Sequence, residues 1–594
     1  MEAQMRGFND VAAPYSNSFR YSVVRLTCII SVLLLVAASM LSIHSAITRA
    51  ASPLYVTLPD SVPSQVANAQ STGHYSSNVS MSIGIMLYPN NQAKIDALYT
   101  QLYDAHSPLY HHWLRKKEFD SLFGPTSGQL ALITQFLSQS GLHLIQGPGP
   151  LLIPAMGTTV QVEAAFHTTL NNYRLPNGTT FFANSTNIQI PMNLRGIVEG
   201  VFGLNNIVKN RSLLNAPTSL KGVKPSYGGG PNGSGLTPSQ IAGIYDANPV
   251  YTTMNTKGQG VTLGLMEFSH FTPGDVFAYE SQYGLGTVAL QYVSVQGGTT
   301  DHSGASEVEL DIEMMVALAP LVDHIQVYKA PNNELGDIWG YYQIAEDDQS
   351  NAVSTSWGDC EATTLSSIVV SEAQSFKIMA LQGQSMFAAT GDNGAFACLP
   401  FNGNTTVRVQ DPSSQPYITA VGGTSFAGTF NPGTNQNPNY PTGKEKAWNE
   451  NCTSTTCTNP NGGGGGGVSR LWAMPSYQTG PGVNENKYSK TGTWCKQTTS
   501  IPCREIPDVS LNSDGNSGYS IYCTDSGDKN CSPSGWLMIG GTSAAAPLWA
   551  AIAGLIDSYH FAHGRTSLGF ANPFLYEFNA TNAYSNVFHG IPKG

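Results

Sequence analysis

Hydrophobic and polar positions change rhythm several times along this chain. From Leu26 to Ile43 (LTCIISVLLLVAASMLSI) apolar residues run nearly unbroken, after Arg6, Arg20 and Arg25 and ahead of the small residues Ala46, Ala50 and Ala51. That order predicts an export signal, and the length also suits an uncleaved signal anchor. From about Leu54 to Asn206, strand-like runs such as MSIGIMLY (Met81 to Tyr88) alternate with helical stretches such as QAKIDALYTQLYDA (Gln92 to Ala105). This alternation predicts a separate α+β domain. Lys209 to Ser234 is rich in Gly, Pro, Asn and Ser with little apolar periodicity, the pattern of an exposed, cleavable linker. The chain therefore divides into a signal peptide or anchor (1–51), a first domain (52–208), a linker (209–234) and a second domain (235–594).

The second domain begins at Leu236, where Thr237 and Pro238 suit the N-cap and first turn of a helix ahead of IAGIYD. VTLGLME (Val261 to Glu267) then reads as a buried strand, SEVELDIEMMVALA (Ser306 to Ala319) as a helix and HIQVYKA (His324 to Ala330) as a strand. AVSTSW (Ala352 to Trp357), a helical stretch from Thr364 to Gln382, and SMFAAT (Ser385 to Thr390) repeat the rhythm. Apolar strands separated by helices predict a parallel sheet covered on both faces, with functional residues just past the strand ends. Between Thr424 and Gly518 the pattern is lost, and six consecutive glycines occupy Gly462 to Gly467. No Lys-Ser/Thr pair follows them, so they read as a flexible loop or substrate edge rather than a phosphate cradle.

With 594 residues, two or three folded units are the natural expectation. A formal net charge of -11 argues against nucleic acid as a partner. Charged residues make up only 11%, so the surface depends little on ionised carboxylates and should tolerate acid. Of nine cysteines, Cys28 lies in the export signal, and the other eight are an even set suited to disulfides in an exported chain. Proximity favours Cys360 with Cys398, Cys452 with Cys457, Cys495 with Cys503 and Cys523 with Cys531, without fixing the pairing. A zinc site is the competing reading, and no CxxC pair or nearby histidine supports it.

The sharpest chemical signal is GGTSAAAP (Gly540 to Pro547), between the apolar GWLMI and the helical LWAAIAGLI. Ser543 is placed at a strand-to-helix junction, where small neighbours and the helix N-terminus suit a nucleophile beside a developing oxyanion; a plain N-cap serine is the bland alternative. The usual histidine base has only poor candidates, His302 in DHSG and His563 after the serine. Glu307 and Asp311 lie upstream instead, four apart on one helix face. Two stacked carboxyls can share a proton, so Glu307 can accept the Ser543 proton in acid while Asp311 orients it. Glu309 and Glu313 turn away from that face and read as its solvated side. Asp392, in TGDNG after a strand, is either a turn residue or a protonated acid donating to the oxyanion.

Taken together, SEVELDIEMMVALAP, STSWG (Ser354 to Gly358), ATGDNG, TAVGGTS (Thr419 to Ser425), GGGVSRLWAMPSYQ (Gly465 to Gln478), IPDVS (Ile506 to Ser510) and GGTSAAAP resemble the sedolisins, serine-carboxyl peptidases, of the kumamolisin-like kind. YHHWLRKKEFDSLFGP (Tyr110 to Pro125) and VEAAFHTTL (Val162 to Leu170) resemble their propeptide. The resemblance implies an α/β catalytic domain with a subtilisin-like parallel sheet, preceded by a ferredoxin-like α+β prodomain that masks the site until cleaved in acid. It implies Ser543 as nucleophile, Glu307 as base, Asp311 as its partner and Asp392 in the oxyanion hole, with Glu267 and Trp357 extending the network. It also implies protein or peptide substrates, the propeptide as intramolecular inhibitor, a monomer and no organic cofactor. The family's C-terminal calcium site is matched only by NAYSNVFHG (Asn582 to Gly590), with Asn586 in place of Asp and Val587 as carbonyl donor; such a half-site predicts weak calcium binding or none. A histidine-dependent subtilisin and an inactive secreted binding protein on the same fold are the alternatives.

Overall fold

The computed structural model describes residues 54–214, 228–426, 445–450 and 462–591, with short breaks between 484 and 500 and between 580 and 589. The expected export signal and the pair Cys452 and Cys457 lie outside the described residues. Among the described residues, no helix is long and apolar enough to cross a membrane.

In the first domain, four antiparallel strands lie in the order His143–Leu144, Leu152–Thr158, Ser80–Leu87, Val198–Phe202. The helices Gln92–Tyr103 and Ser127–Gln139 belong to the same domain, and the second is started by a capping box between Thr126 and Gln129. This is the α+β domain expected from the alternation, which the resemblance makes a prodomain.

The second domain is built on a central sheet. Its strands are β1 (Thr262–Glu267), β2 (Ala289–Ser294), β3 (His324–Lys329), β4 (Ala352–Thr355), β5 (Ser385–Ala389), β6 (Thr419–Phe426), β7 (Glu445–Ala447) and β8 (Val509–Asn512). They lie in the order β2-β3-β1-β4-β5-β6, and β6 then pairs with both β8 and β7. All pairings are parallel except β6 with β7. The nearly continuous burial of β1, β4 and β5 follows from cover on both faces. Thr237 caps the entering helix Pro238–Ile244 with Pro238 at its first position, as expected.

Four helices matter most for the site: α1 (Ala305–Leu318), α2 (Glu334–Asp347), α3 (Ser366–Leu381) and α4 (Thr542–Ala562). Every residue of α1 is buried, because it packs against α4, the helix Pro273–Tyr283 and the hairpin Tyr519–Cys523/Gly535–Ile539. The expected solvated face of Glu309 and Glu313 therefore does not exist. Both are buried, with Glu309 accepting from the Thr272 N–H at 3.1 Å and Glu313 from the Tyr522 N–H at 2.9 Å. Spacing on the helix separated the two faces, but it carried no information on what covers the second one.

The prodomain and the second domain share one hydrophobic core, joining Ile83, Ile85 and Phe202 to Leu335, Tyr342 and Phe376. Polar contacts also cross the boundary. Glu334 accepts from the Gly203 N–H at 2.9 Å and Asn205 Nδ2 at 3.0 Å, and the Leu151 N–H donates to Tyr342 Oη at 3.0 Å. Disulfides join Cys360 to Cys398, Cys495 to Cys503 and Cys523 to Cys531, three of the four pairings that proximity favoured.

Candidate active site

Ser543 is the second residue of α4, just beyond the strand Gly535–Ile539, and is fully buried. The Ala-rich start of α4 keeps its surroundings narrow. Pro547 has no N–H to offer the carbonyl four residues earlier, and that carbonyl, of Ser543, faces the Ser356 hydroxyl at 3.2 Å. The same hydroxyl lies 2.7 Å from Asp311 Oδ1. One proton cannot serve both acceptors; donation to Asp311 is the shorter contact and lowers that carboxyl's proton affinity. Nothing in the sequence singled out Ser356, although it lies just past β4, where a parallel sheet places its functional residues.

Glu307 and Asp311, one turn apart on α1, are both fully buried. Burial raises the proton affinity of Glu307 well above the carboxylate range. Hydrogen bonding to Ser212 and Ser543 lowers it, while the neighbouring charges of Glu267 and Asp392 raise it. Ser212 Oγ donates to Glu307 Oε2. Glu307 Oε1 has no partner of normal geometry, nor does Ser543 Oγ, although Ser543 is close enough to influence the carboxyl. Asp311 is raised well above its usual range by burial and by the charges of Glu267 and Glu307. Glu267, at the end of β1, is pushed up to about 8 by burial; it accepts from Trp357 Nε1 at 2.7 Å and meets Asp311 carboxyl to carboxyl. The structure thus gathers Glu307, Asp311, Glu267, Trp357 and Ser543 in one buried network.

Asp392 follows β5. Its Oδ1 accepts from Thr542 N at 2.8 Å and Thr542 Oγ1 at 3.0 Å, while Oδ2 has no partner. Burial pushes this carboxyl up to about 8, against the lowering effect of Thr542, so it is an acid at neutral pH with one oxygen left to donate. The expected loop of glycines proves to be the backing of this turn. Gly463 N donates to Asp392 O at 3.1 Å and Gly465 N to Gly391 O at 2.6 Å. A Cβ on Gly465 would fall 1.8 Å from Thr390 O, a closeness only glycine allows.

The linker supplies the last part. Arg211–Ser212 forms a strand antiparallel to Trp357–Cys360, with Arg211 opposite Gly358 and Ser212 opposite Trp357. Leu213 is buried, whereas the linker had been expected to lie exposed. A free strand edge beside the site explains the difference, since extended chain can satisfy its N–H and C=O groups there.

The model of the Pro-kumamolisin activation domain matches residues 67–207. Sedolisin of Pseudomonas sp. (strain 101) is 27% identical over 527 residues, covering 86% of this chain and 81% of that protein. Kumamolisin of Bacillus sp. (strain MN-32) is 26% identical over 546 residues, covering 89% and 88%. The chain is thus similar to the sedolisins over most of its length. It is a serine-carboxyl peptidase made as a zymogen with an N-terminal activation domain. Tripeptidyl-peptidase 1 of Rattus norvegicus is 25% identical over 553 residues, covering 88% of this chain and 86% of that protein. The solved structure of Pseudomonas sedolisin, a serine-carboxyl proteinase complexed with two molecules of pseudo-iodotyrostatin, is 24% identical. It covers 62% of this chain and 90% of its own, with a TM-score of 0.48.

The two candidate histidines take other partners: His302 Nδ1 lies 2.6 Å from Asp525 Oδ2, and His563 Nδ1 lies 2.8 Å from Tyr559 O. Asn586 and Val587 fall on the helical turn Tyr584–Val587, with Val587 exposed and the Asn586 side chain outside the described residues. Asn582 to Gly590 holds no carboxylate, so its oxygen donors are the amides of Asn582 and Asn586, the hydroxyls of Tyr584 and Ser585 and backbone carbonyls, a neutral set that does not fit a calcium ion. Elsewhere, Glu309 lies within ligand distance of Cys523 and Cys531, but those two sulfurs are bonded to each other.

Proposed function

We propose that this protein is a sedolisin, a secreted endopeptidase that works in acid and removes its own propeptide. Ser543 is the nucleophile, Glu307 takes its proton, Asp311 and Glu267 hold the carboxyl chain behind Glu307, Trp357 fixes Glu267, and Asp392 donates to the oxyanion. The observation that carries this reading is the gathering of Ser543 with three buried carboxyls, and of Thr542 with a fourth. Glu307, Asp311 and Glu267 titrate as one coupled set, so Glu307 can take the Ser543 proton as its ionised member while Asp311 and Glu267 hold theirs. A protonated Asp392 supplies a hydrogen bond where charge develops. Secretion rests on the N-terminal apolar run and the disulfides.

Incubated at about pH 3 to 5, where shared carboxyl protons and a neutral Asp392 coexist, the purified zymogen should shorten itself and digest unfolded protein. Ser543→Ala should do neither. Persistence of either activity in that variant would sink the assignment, and an optimum above neutrality would favour a histidine-dependent mechanism. An unmodified protein that cuts nothing in acid would be the inactive binding protein.

A further inference from the structure

Arg211 to Leu214 lies in this structure as a peptide would lie to be cut. The strand is held by its backbone: Arg211 faces Gly358, Ser212 faces Trp357, and the Leu213 N–H donates to Ser356 O at 3.1 Å. Ser356 is also the residue whose hydroxyl reaches Asp311 and the Ser543 carbonyl, so the backbone is anchored up to Leu213 at the catalytic end of the strand edge. Side chains alternate along an extended chain. Ser212 points to the Glu307 carboxyl. Leu213 turns the other way and is only 5% exposed, beside Gly358, whose missing Cβ would stand 3.5 Å from Leu213 Cδ1. Arg211 is exposed, with its guanidinium 5.1 Å above the Phe401 ring and near enough to Asp359 to lower that carboxyl's proton affinity.

Resting on the peptidase reading above, we propose that Leu213–Leu214 is the bond this sedolisin cuts in its own chain, and that its primary pocket accepts an aliphatic side chain, with a cation accepted two residues earlier on the face of Phe401. In the cut, Ser543 Oγ bonds to the Leu213 carbonyl carbon as its proton passes to Glu307. The C–N bond to Leu214 breaks, and the leaving nitrogen takes that proton. Water then hydrolyses the ester, freeing the Leu213 carboxylate and restoring Ser543.

The zymogen, purified at neutral pH, is shifted to about pH 4 and quenched at short times, and the masses of the first two fragments are measured. Fragments ending at Leu213 and beginning at Leu214 are expected. Leu213→Asp should slow the first cut at least tenfold and Leu213→Met should leave it within about threefold, as one side-chain change in an apolar pocket allows. A peptide carrying Arg-Ser-Leu-Leu should be cut between its two leucines. A zymogen that digests unfolded protein in acid while its first cut falls elsewhere, with Leu213→Asp cutting at the normal rate, would overturn this inference and leave the peptidase reading intact. A chain that cuts nothing overturns both.

Discussion

The carboxyl of Asp392 is divided in its duties: Oδ1 takes two hydrogen bonds from Thr542 and Oδ2 is left free. An amide at this position would keep both functions, with its oxygen accepting from Thr542 and its NH2 donating where the protonated acid did. Asp392→Ala is therefore expected to lower kcat by about 10² to 10³-fold, the usual effect of removing one oxyanion donor, and Asp392→Asn to recover much of that loss. The sign of the pH effect follows from the raised proton affinity. The wild-type acid donates only while protonated, so its contribution falls as pH rises through about 8, whereas the amide's does not. Kcat profiles of the wild type and the two variants between pH 4 and 9 check this, and an equally deep loss in both variants, with the wild-type profile parallel to theirs, would remove Asp392 from the oxyanion role. Ser212 invites a second residue-level test. Its hydroxyl donates to one oxygen of the Glu307 carboxyl and so competes with Ser543 for that group; Ser212→Ala should hasten self-shortening several-fold at a given acid pH, followed by the time course of fragment release.

Among the elements, those whose chemistry sits on one contiguous motif were legible in the sequence: α1 with Glu307 and Asp311, the turn after β5, and the start of α4. What was not legible comes from distant chain brought together. Ser356 matters because Pro547 leaves the Ser543 carbonyl open, and the linker docks because a strand edge lies unfilled beside the site. Glu309 and Glu313 looked like a wet face because helical periodicity cannot report that a hairpin and a second helix cover it. The glycine run was the most misleading, since its composition suggests looseness while its function is closeness. Gly465→Ala, driven against Thr390 O, should displace the Asp392 turn and strongly reduce both acid activity and the melting temperature. Gly463→Ala meets its first neighbour only at 3.4 Å and should be far milder. Equal tolerance of both substitutions, measured by melting and by casein digestion, would deny the run this role.

Among the described residues, buried acids outnumber the basic groups set against them. Glu199, in the prodomain, bonds Ser371 of α3 and is pushed up to about 8 by burial. Glu334 is raised to about 8, and Glu346, against Asp120 of the prodomain, to about 7, burial being the main cause in each. Asp337, Asp359 and Asp557 reach about 7 for the same reason. Unfolded, such groups titrate near 4, so the folded zymogen binds more protons than the unfolded chain throughout the interval between. Stability then declines as pH rises: the contribution of these acids is complete below about pH 4 and is lost progressively up to about 8. Acid would denature a protein held by ionised salt bridges, but it should strengthen this one. Melting of the Ser543→Ala zymogen, which cannot digest itself under the proposed mechanism, is expected several degrees higher at pH 4 than at pH 8, and the gap should narrow in Glu199→Gln and Glu346→Gln, whose amides have no proton to lose. Glu199 and Glu346 lie where prodomain meets peptidase and hold that boundary more firmly in acid, while His111 of the prodomain and His560, whose proton affinities burial lowers, act the other way. A melting temperature that rises from pH 4 to pH 8 would refute this account.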